Sequence, residues 1–425
     1  MTRPATSSPR QLSSLLLALF ALWVSACSER ALTFGERLEA GDPVRGFQRM
    51  MALQCARCHS PRPAVDRTQC LGCHTAIAEG RAAALPLRAE METLEGWQSR
   101  IWHYREVPSL VGVGRLLKRE WLVQFLLEPH DPRPRLSESM PRLPLSEQDA
   151  LDIASALAAA QPTDPYFADR AIADFRRPLP PLTAGDRARG RALFEDRGCG
   201  TCHAFTGAVV APPLHADRLE ARKLQLAVDL RHTRHRFIEE EVVPWLLDPS
   251  HRKPDAVMPN LDLTYQEARD LAAFVIDEPL EATAPPEPIA RLPLLERRVT
   301  YTEVNERIFG RTCVHCHDDT GLGLLGDGGP GNVGGFGFPA RGLSFADYES
   351  VLSGYLDDAG QRRSLFERDA DDVPLLVRVL LLRRDEEASL SDPQEPQRGM
   401  PLSLPAVTAE ELQLVESWIA QGRPR

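Results

Sequence analysis

Cys55-Ala56-Arg57-Cys58-His59 is followed, after ten intervening residues, by Cys70-Leu71-Gly72-Cys73-His74, so Cys-x-x-Cys-His occurs twice in close succession. The same spacing returns at Cys199-Gly200-Thr201-Cys202-His203 and at Cys313-Val314-His315-Cys316-His317, and the four copies use eight of the nine cysteines. Cys-x-x-Cys-His is the attachment signature of c-type haem. The spacing has a chemical reason: two thiols bond to the two vinyl groups on one edge of a porphyrin, and the next residue carries its imidazole beneath the iron. Zinc sites and redox dithiols also use Cys-x-x-Cys, but neither requires a histidine after every second cysteine. Cys55, Cys58, Cys70, Cys73, Cys199, Cys202, Cys313 and Cys316 therefore read as attachment points for four covalently bound haem c groups. His59, His74, His203 and His317 read as iron ligands.

At 425 residues the chain has room for two to four domains. A hydrophobic content of 43% with 26% charged residues is that of a globular protein, which excludes a bundle of membrane-spanning helices. The formal charge of -10 excludes a general nucleic-acid binder, which would carry a basic patch or stripe. Lys118, Lys223 and Lys253 are the only lysines, so a partner steered by charge should itself present positive charge.

Arg3 and Arg10 precede an apolar run from Leu12 to Val24, the arrangement of a secretory signal. The run ends in Val24-Ser25-Ala26-Cys27, which resembles the lipobox of bacterial lipoproteins. That resemblance implies a signal peptide over residues 1–26 and acylation of Cys27, the ninth cysteine. More than one acyl chain on Cys27 gives stable anchoring to a membrane. It also implies a place on the periplasmic side of a Gram-negative bacterial membrane, outside the cytoplasm, where c-type haem is attached.

Two proline-rich stretches interrupt the rest, Gln161 to Thr183 and Pro279 to Pro293, and neither can run as one helix. They divide the chain into residues 27–162, 184–279 and 294–425, joined by linkers over 163–183 and 280–293. Each part repeats one pattern. A helix leads into Cys-x-x-Cys-His: Gly46 to Gln54 before Cys55, Gly190 to Phe194 before Cys199, Val304 to Phe309 before Cys313. Met-Pro follows later, at Met140-Pro141, Met258-Pro259 and Met400-Pro401. A second helix comes next, opened by Ser146 in the first part and by the capping boxes Thr264/Glu267 and Thr408/Glu411 in the others. Alternating β-branched runs are scarce, so the expectation is all-α. Methionine more often fills core gaps than binds metal. Here three of six non-initiator methionines hold the same place in the repeat, where a thioether can complete the iron opposite histidine.

These features resemble class I cytochrome c, with an N-terminal helix, Cys-x-x-Cys-His, a distal methionine and a C-terminal helix that crosses the first. The resemblance covers nearly everything after residue 35 and implies three tandem cytochrome c-like domains. It implies Met140, Met258 and Met400 as axial ligands opposite His59, His203 and His317. The middle part is the plainest match, with Pro212-Pro213-Leu214 after its haem motif and Trp245-Leu246-Leu247-Asp248-Pro249 before Met258. The third part is similar to cytochrome modules of planctomycete proteins, through Gly342-Leu343-Ser344-Phe345-Ala346-Asp347-Tyr348 and the closing Trp418-Ile419-Ala420-Gln421-Gly422.

The first part departs from the family by holding two haem motifs and one Met-Pro. Gly46 lies nine residues before Cys55, as Gly190 lies nine before Cys199, so the motif at Cys70 is the inserted one. Its haem needs a sixth ligand from elsewhere or has none. His103, in Ile101-Trp102-His103-Tyr104, is the first candidate, with His130, Met91 and an open site as alternatives. His315, inside its own haem loop, is expected to be exposed rather than ligating, and Arg231-His232-Thr233-Arg234-His235-Arg236 to be a solvated basic helix face. The acidic run Asp369 to Asp372 and the charged run Arg383 to Glu387 are expected at the surface. The glycine-rich loop from Gly321 to Gly337 contains G-x-G-x-x-G at Gly321 to Gly326, but it follows a haem motif rather than a strand, so a backbone loop packed close to the haem or over its edge is the better reading than a nucleotide site.

The expected function is electron carriage between membrane-associated respiratory partners: a quinol-oxidising complex, a terminal oxidase or reductase, or other cytochromes. The rival is a peroxidase-like enzyme in which the haem at Cys70 and Cys73 is open and catalytic. No signalling domain accompanies the haem motifs to favour a redox or gas sensor.

Overall fold

The computed structural model describes residues 34–59, 70–80, 98, 107–136, 140–160, 186–209, 222–253, 255–284, 290–319, 329–388, 397–402 and 404–425. Cys27, Met91, His103, the first proline-rich stretch, Pro212 to Leu214 and the run Gly321 to Gly326 lie outside the described residues. Met1–Ala40 is one compact unit and Gly41–Arg425 another. The first carries a short helix, Phe34–Glu39. Among the described residues no helix is long and apolar enough to cross a membrane.

The second unit is mainly helical, and among the described residues its strands amount to one antiparallel pair, β1 (Tyr355–Leu356) and β2 (Arg362–Arg363). Its first segment holds α1 (Pro43–Ala52), α2 (Cys70–Ala78), α3 (Arg119–Leu127) and α4 (Glu147–Ala159). The second holds α5 (Arg187–Asp196), α6 (Glu239–Leu247) and α7 (Tyr265–Asp277). In the third, α8 (Tyr301–Val304) continues as a π-helix over Asn305–Cys313, and α9 (Leu375–Glu387) and α10 (Ala409–Ala420) follow. Thr264/Glu267 and Thr408/Glu411 form the expected capping boxes at the starts of α7 and α10. Ser146 and Asp149 form a further one at α4.

Two helix pairs are built on one plan. α1 crosses α4 where Gly46 lies so close that a Cβ there would sit 1.9 Å from the Asp152 carbonyl oxygen; α5 crosses α7 where Gly190 stands at the same 1.9 Å from that of Asp270. Only glycine permits the contact. Both crossings are locked by a buried carboxylate. Asp152 accepts from the Asp42 amide at 2.7 Å, from Arg45 Nε at 2.8 Å and from Gln148 Nε2 at 2.9 Å. Asp270 accepts from the Asp186 amide at 2.7 Å, from Arg189 Nε at 2.9 Å and from Gln266 Nε2 at 2.9 Å. The third crossing is aromatic instead. Phe309 meets Trp418 edge-on at 5.7 Å, in a core with Val304, Ile308 and Val415.

The first two segments join through an isolated antiparallel bridge, Leu117 to Phe237. The Lys118 amide donates to the Arg236 carbonyl at 2.8 Å and the Ile238 amide to that of Leu116 at 2.9 Å. Each strand of the bridge leads straight into its own helix, α3 or α6. The junction overturns the reading of Arg231 to Arg236 as a solvated face. Arg236 is half-buried, its guanidinium over Trp121 and Phe237, where desolvation pulls its pKa down to about 10. Arg234 donates to the Val275 and Glu278 carbonyls. A surface place for Arg383 to Glu387 also fails: Arg383 and Arg384 are buried, and Arg383, 1% exposed, donates to the Leu404 carbonyl and to Glu386. Asp369 to Asp372 is exposed as expected.

Candidate haem centres

Three of the four Cys-x-x-Cys-His copies adopt one turn. In each, the second cysteine and the histidine return their amides to the first cysteine's carbonyl: Cys58 and His59 to Cys55 at 3.2 and 2.9 Å, Cys202 and His203 to Cys199 at 3.2 and 3.0 Å, Cys316 and His317 to Cys313 at 3.2 and 3.0 Å. In the first two the turn is entered through a left-handed residue, Gln54 at φ 59° and Gly198 at φ 65°. The copy at Cys70 is different. It forms the first turns of α2, with His74 buried on the helix.

The histidine rings are oriented as ligands require. His59 Nδ1 donates to the Pro108 carbonyl at 2.8 Å and His203 Nδ1 to that of Val228 at 2.9 Å. A carbonyl on Nδ1 fixes the tautomer and leaves the Nε2 lone pair for a metal. Burial lowers the pKa of both rings, against the opposing pull of those carbonyls, so both are neutral, the form that binds metal. Burial pushes His317 down to about 4. Its ring is covered by Gly331, where a Cβ would come within 2.4 Å of His317 Cε1. The described end of the glycine-rich loop thus packs on the His317 ring. With paired thiols, neutral imidazoles and a glycine cradle, these residues fit haem c.

The pockets of the first two segments support each other reciprocally. Next to Pro108, the Ser109 amide donates to Asp255 Oδ2 at 3.1 Å and its carbonyl accepts from Lys253 Nζ at 2.9 Å, both on the approach to Met258. Next to Val228, the Asp229 amide donates to the Pro132 carbonyl at 2.8 Å, on the approach to Met140. Arg135 Nη1 on that approach reaches the Cys202 carbonyl at 2.9 Å. Met140, Met258 and Met400 are all half-buried. The Met400 amide donates to the Val379 carbonyl of α9 at 2.8 Å, and the Gly399 amide to Glu386 at 2.8 Å. Arg398 donates to the Arg142 carbonyl at 3.1 Å, tying the Met400 loop to the Met140 loop.

The motifs of the first and third segments converge. The Cys58 thiol donates to Cys70, and that bond, with Arg57 alongside, favours the Cys70 thiolate and brings its pKa to about 7 despite burial. Burial pushes Cys316, which feels the charge of Cys70, up to about 12. His315 is not exposed: its ring lies 5.5 Å from that of His74, with the two Nε2 atoms 3.5 Å apart. His130 sits between Phe125 and Trp121 of α3 and His232 of the second segment, its Nδ1 donating to the Glu128 carbonyl at 3.2 Å. The Asp152 and Asp270 locks carried no signal in the spacing of cysteines. Their trace is Asp-x-x-Arg-Gly at Asp42 to Gly46 and at Asp186 to Gly190.

No curated protein and no solved structure matches the chain. Residues 187–277 match the family model of cytochrome c. The segment that holds Cys199, Cys202 and His203 is therefore a cytochrome c domain, with covalently bound haem c and haem-based electron transfer as its chemistry.

Proposed function

We propose that the whole chain is a tetrahaem electron carrier made of three tandem cytochrome c-like domains, anchored by lipid on Cys27 at the periplasmic side of a bacterial membrane. The observation that supports it best is the duplicated ligand geometry, His59 on Pro108 and His203 on Val228, which sets the first segment beside the recognised cytochrome c domain. Cys55/Cys58, Cys70/Cys73, Cys199/Cys202 and Cys313/Cys316 would hold the haems, with His59, His74, His203 and His317 as iron ligands. Met140, Met258 and Met400 would supply further ligands to three of them.

When bound, each haem supplies a one-electron couple between ferrous and ferric iron. The chain sets how that couple behaves. Pro108 and Val228 hold the imidazoles in the basic tautomer, Gly331 shields His317 from water, and the thioethers favour the reduced state. The approach of Cys58, Cys70 and Cys316 places three attachment sites within reach of one another, which suits transfer along the chain to a redox partner such as a quinol-oxidising complex, an oxidase or reductase, or another cytochrome.

Haem quantification on the purified, membrane-extracted protein tests the count: four haems per chain are expected, and three or fewer refute the tetrahaem reading. Ferric spectra test the role. A carrier is low-spin throughout, and a high-spin haem that binds cyanide rapidly supports the peroxidase-like alternative instead.

A further inference from the structure

We infer that His315 of the third segment is the sixth iron ligand of the haem attached at Cys70 and Cys73, opposite His74. This rests on the tetrahaem reading, and it assigns the one haem left without a methionine.

The two imidazoles approach Nε2 to Nε2 at 3.5 Å, with ring planes inclined at 45°. Two nitrogens that share one metal from opposite sides stand about 4 Å apart, since an imidazole nitrogen lies ~2 Å from a first-row divalent metal. The separation is thus within about half an ångström of an axial pair. A small outward movement of either ring admits an iron on the line between them.

Both rings come from elements fixed for other reasons. His74 follows Cys73 on α2, so the attachment chemistry itself aims it at iron. His315 lies between Cys313 and Cys316, in a turn held by the return of the Cys316 and His317 amides to Cys313. His317 is engaged under Gly331. His315, two residues earlier, faces away toward the first segment instead. The contact spans 241 residues of sequence. It is accompanied by a second one: Arg57 lies over the Phe336 ring at 5.5 Å, and Gly337 packs on Leu53 and Pro144. The approach of His315 to His74 therefore does not depend on the histidines alone.

Coordination by His315 would close the iron that the peroxidase-like alternative needs open. It would also leave one haem with two nitrogen ligands among three with a thioether, so its midpoint potential should be the lowest of the four. The iron would then join the first and third segments.

The test uses the full, haem-loaded chain. Near-infrared magnetic circular dichroism of the unsubstituted ferric protein should show a bis-histidine charge-transfer band alongside the methionine bands. In His315→Ala, with four haems retained, about one haem in four should become high-spin and bind cyanide rapidly while the methionine bands persist. His315→Met should restore low spin and replace the bis-histidine band by a further methionine band. An unchanged low-spin spectrum in His315→Ala overturns the assignment, as does loss of the bis-histidine band in His103→Ala. If either variant at 315 fails to accumulate, absence of a bis-histidine band from the unsubstituted protein overturns it alone. A haem count below four marks failure of the tetrahaem reading rather than of the ligand.

Discussion

The Asp229 amide donates to the Pro132 carbonyl at 2.8 Å, so the residue beside the carbonyl that orients His203 is held by the segment leading to Met140. Ser109 and Asp255 make the counterpart bond in the opposite direction. Each pocket is therefore braced on its histidine side by the methionine approach of the other. A change on one approach should be felt at the other histidine.

Asp255→Ala tests this coupling. It removes the acceptor of the Ser109 amide and the partner of Lys253, at a cost of about 1 kcal/mol in thermal unfolding. The haem served by His59 should shift in midpoint potential although Asp255 lies on the Met258 side. A potentiometric titration in which only the His203 haem moves would show the pockets to be independent.

Asp270→Asn should lower stability by about 1–3 kcal/mol, because the Asp186 amide and Arg189 lose a charged acceptor at a buried crossing. The bonds from Arg189, then the Asp186 amide and Gln266, hold the Asp270 pKa below its ordinary 3.8 against the effect of burial. A carboxyl lowered on folding adds stability that is complete above 3.8 and disappears as the pH falls through the lower folded value. Acid unfolding followed by circular dichroism should accordingly be less steep in Asp270→Asn than in the parent.

Gly331→Ala should damage one centre alone. Its Cβ would meet the His317 ring at 2.4 Å, a collision worth about 1–3 kcal/mol that the ring can relieve only by turning. One haem should then change spin state or potential, and the remaining absorption should be that of the parent. A spectrum identical to the parent's would mean that the loop yields instead of the ring.

Met258→Ala should remove one methionine-to-iron charge-transfer contribution and lower one midpoint potential, since a thioether favours ferrous iron. Equal titrations for variant and parent would refute Met258 as a ligand of the domain at residues 187–277.

The cysteine spacing and the capping boxes were legible because they are local: Thr264 and Glu267 sit three residues apart, and their bond depends on little beyond the helix start. Asp152 and Arg45, 107 residues apart, act as one group only after α1 crosses α4. The same holds for Arg236 and Arg383. Charge in a sequence signals exposure until another element covers it, and here a neighbouring segment and the Leu404 backbone did so. Sequence alone leaves His315 exposed for the same reason, since its neighbour His74 lies 241 residues away.

The bridge between Leu117 and Phe237 joins like to like, since each residue stands at the same point before its own helix. That is the self-complementary contact of a two-fold homodimer, made here inside one polypeptide. In a homodimer every substitution falls on both halves at once. Within one chain the halves can vary separately, so a symmetric frame can carry two unequal centres and give electrons a downhill direction across an otherwise even-handed interface.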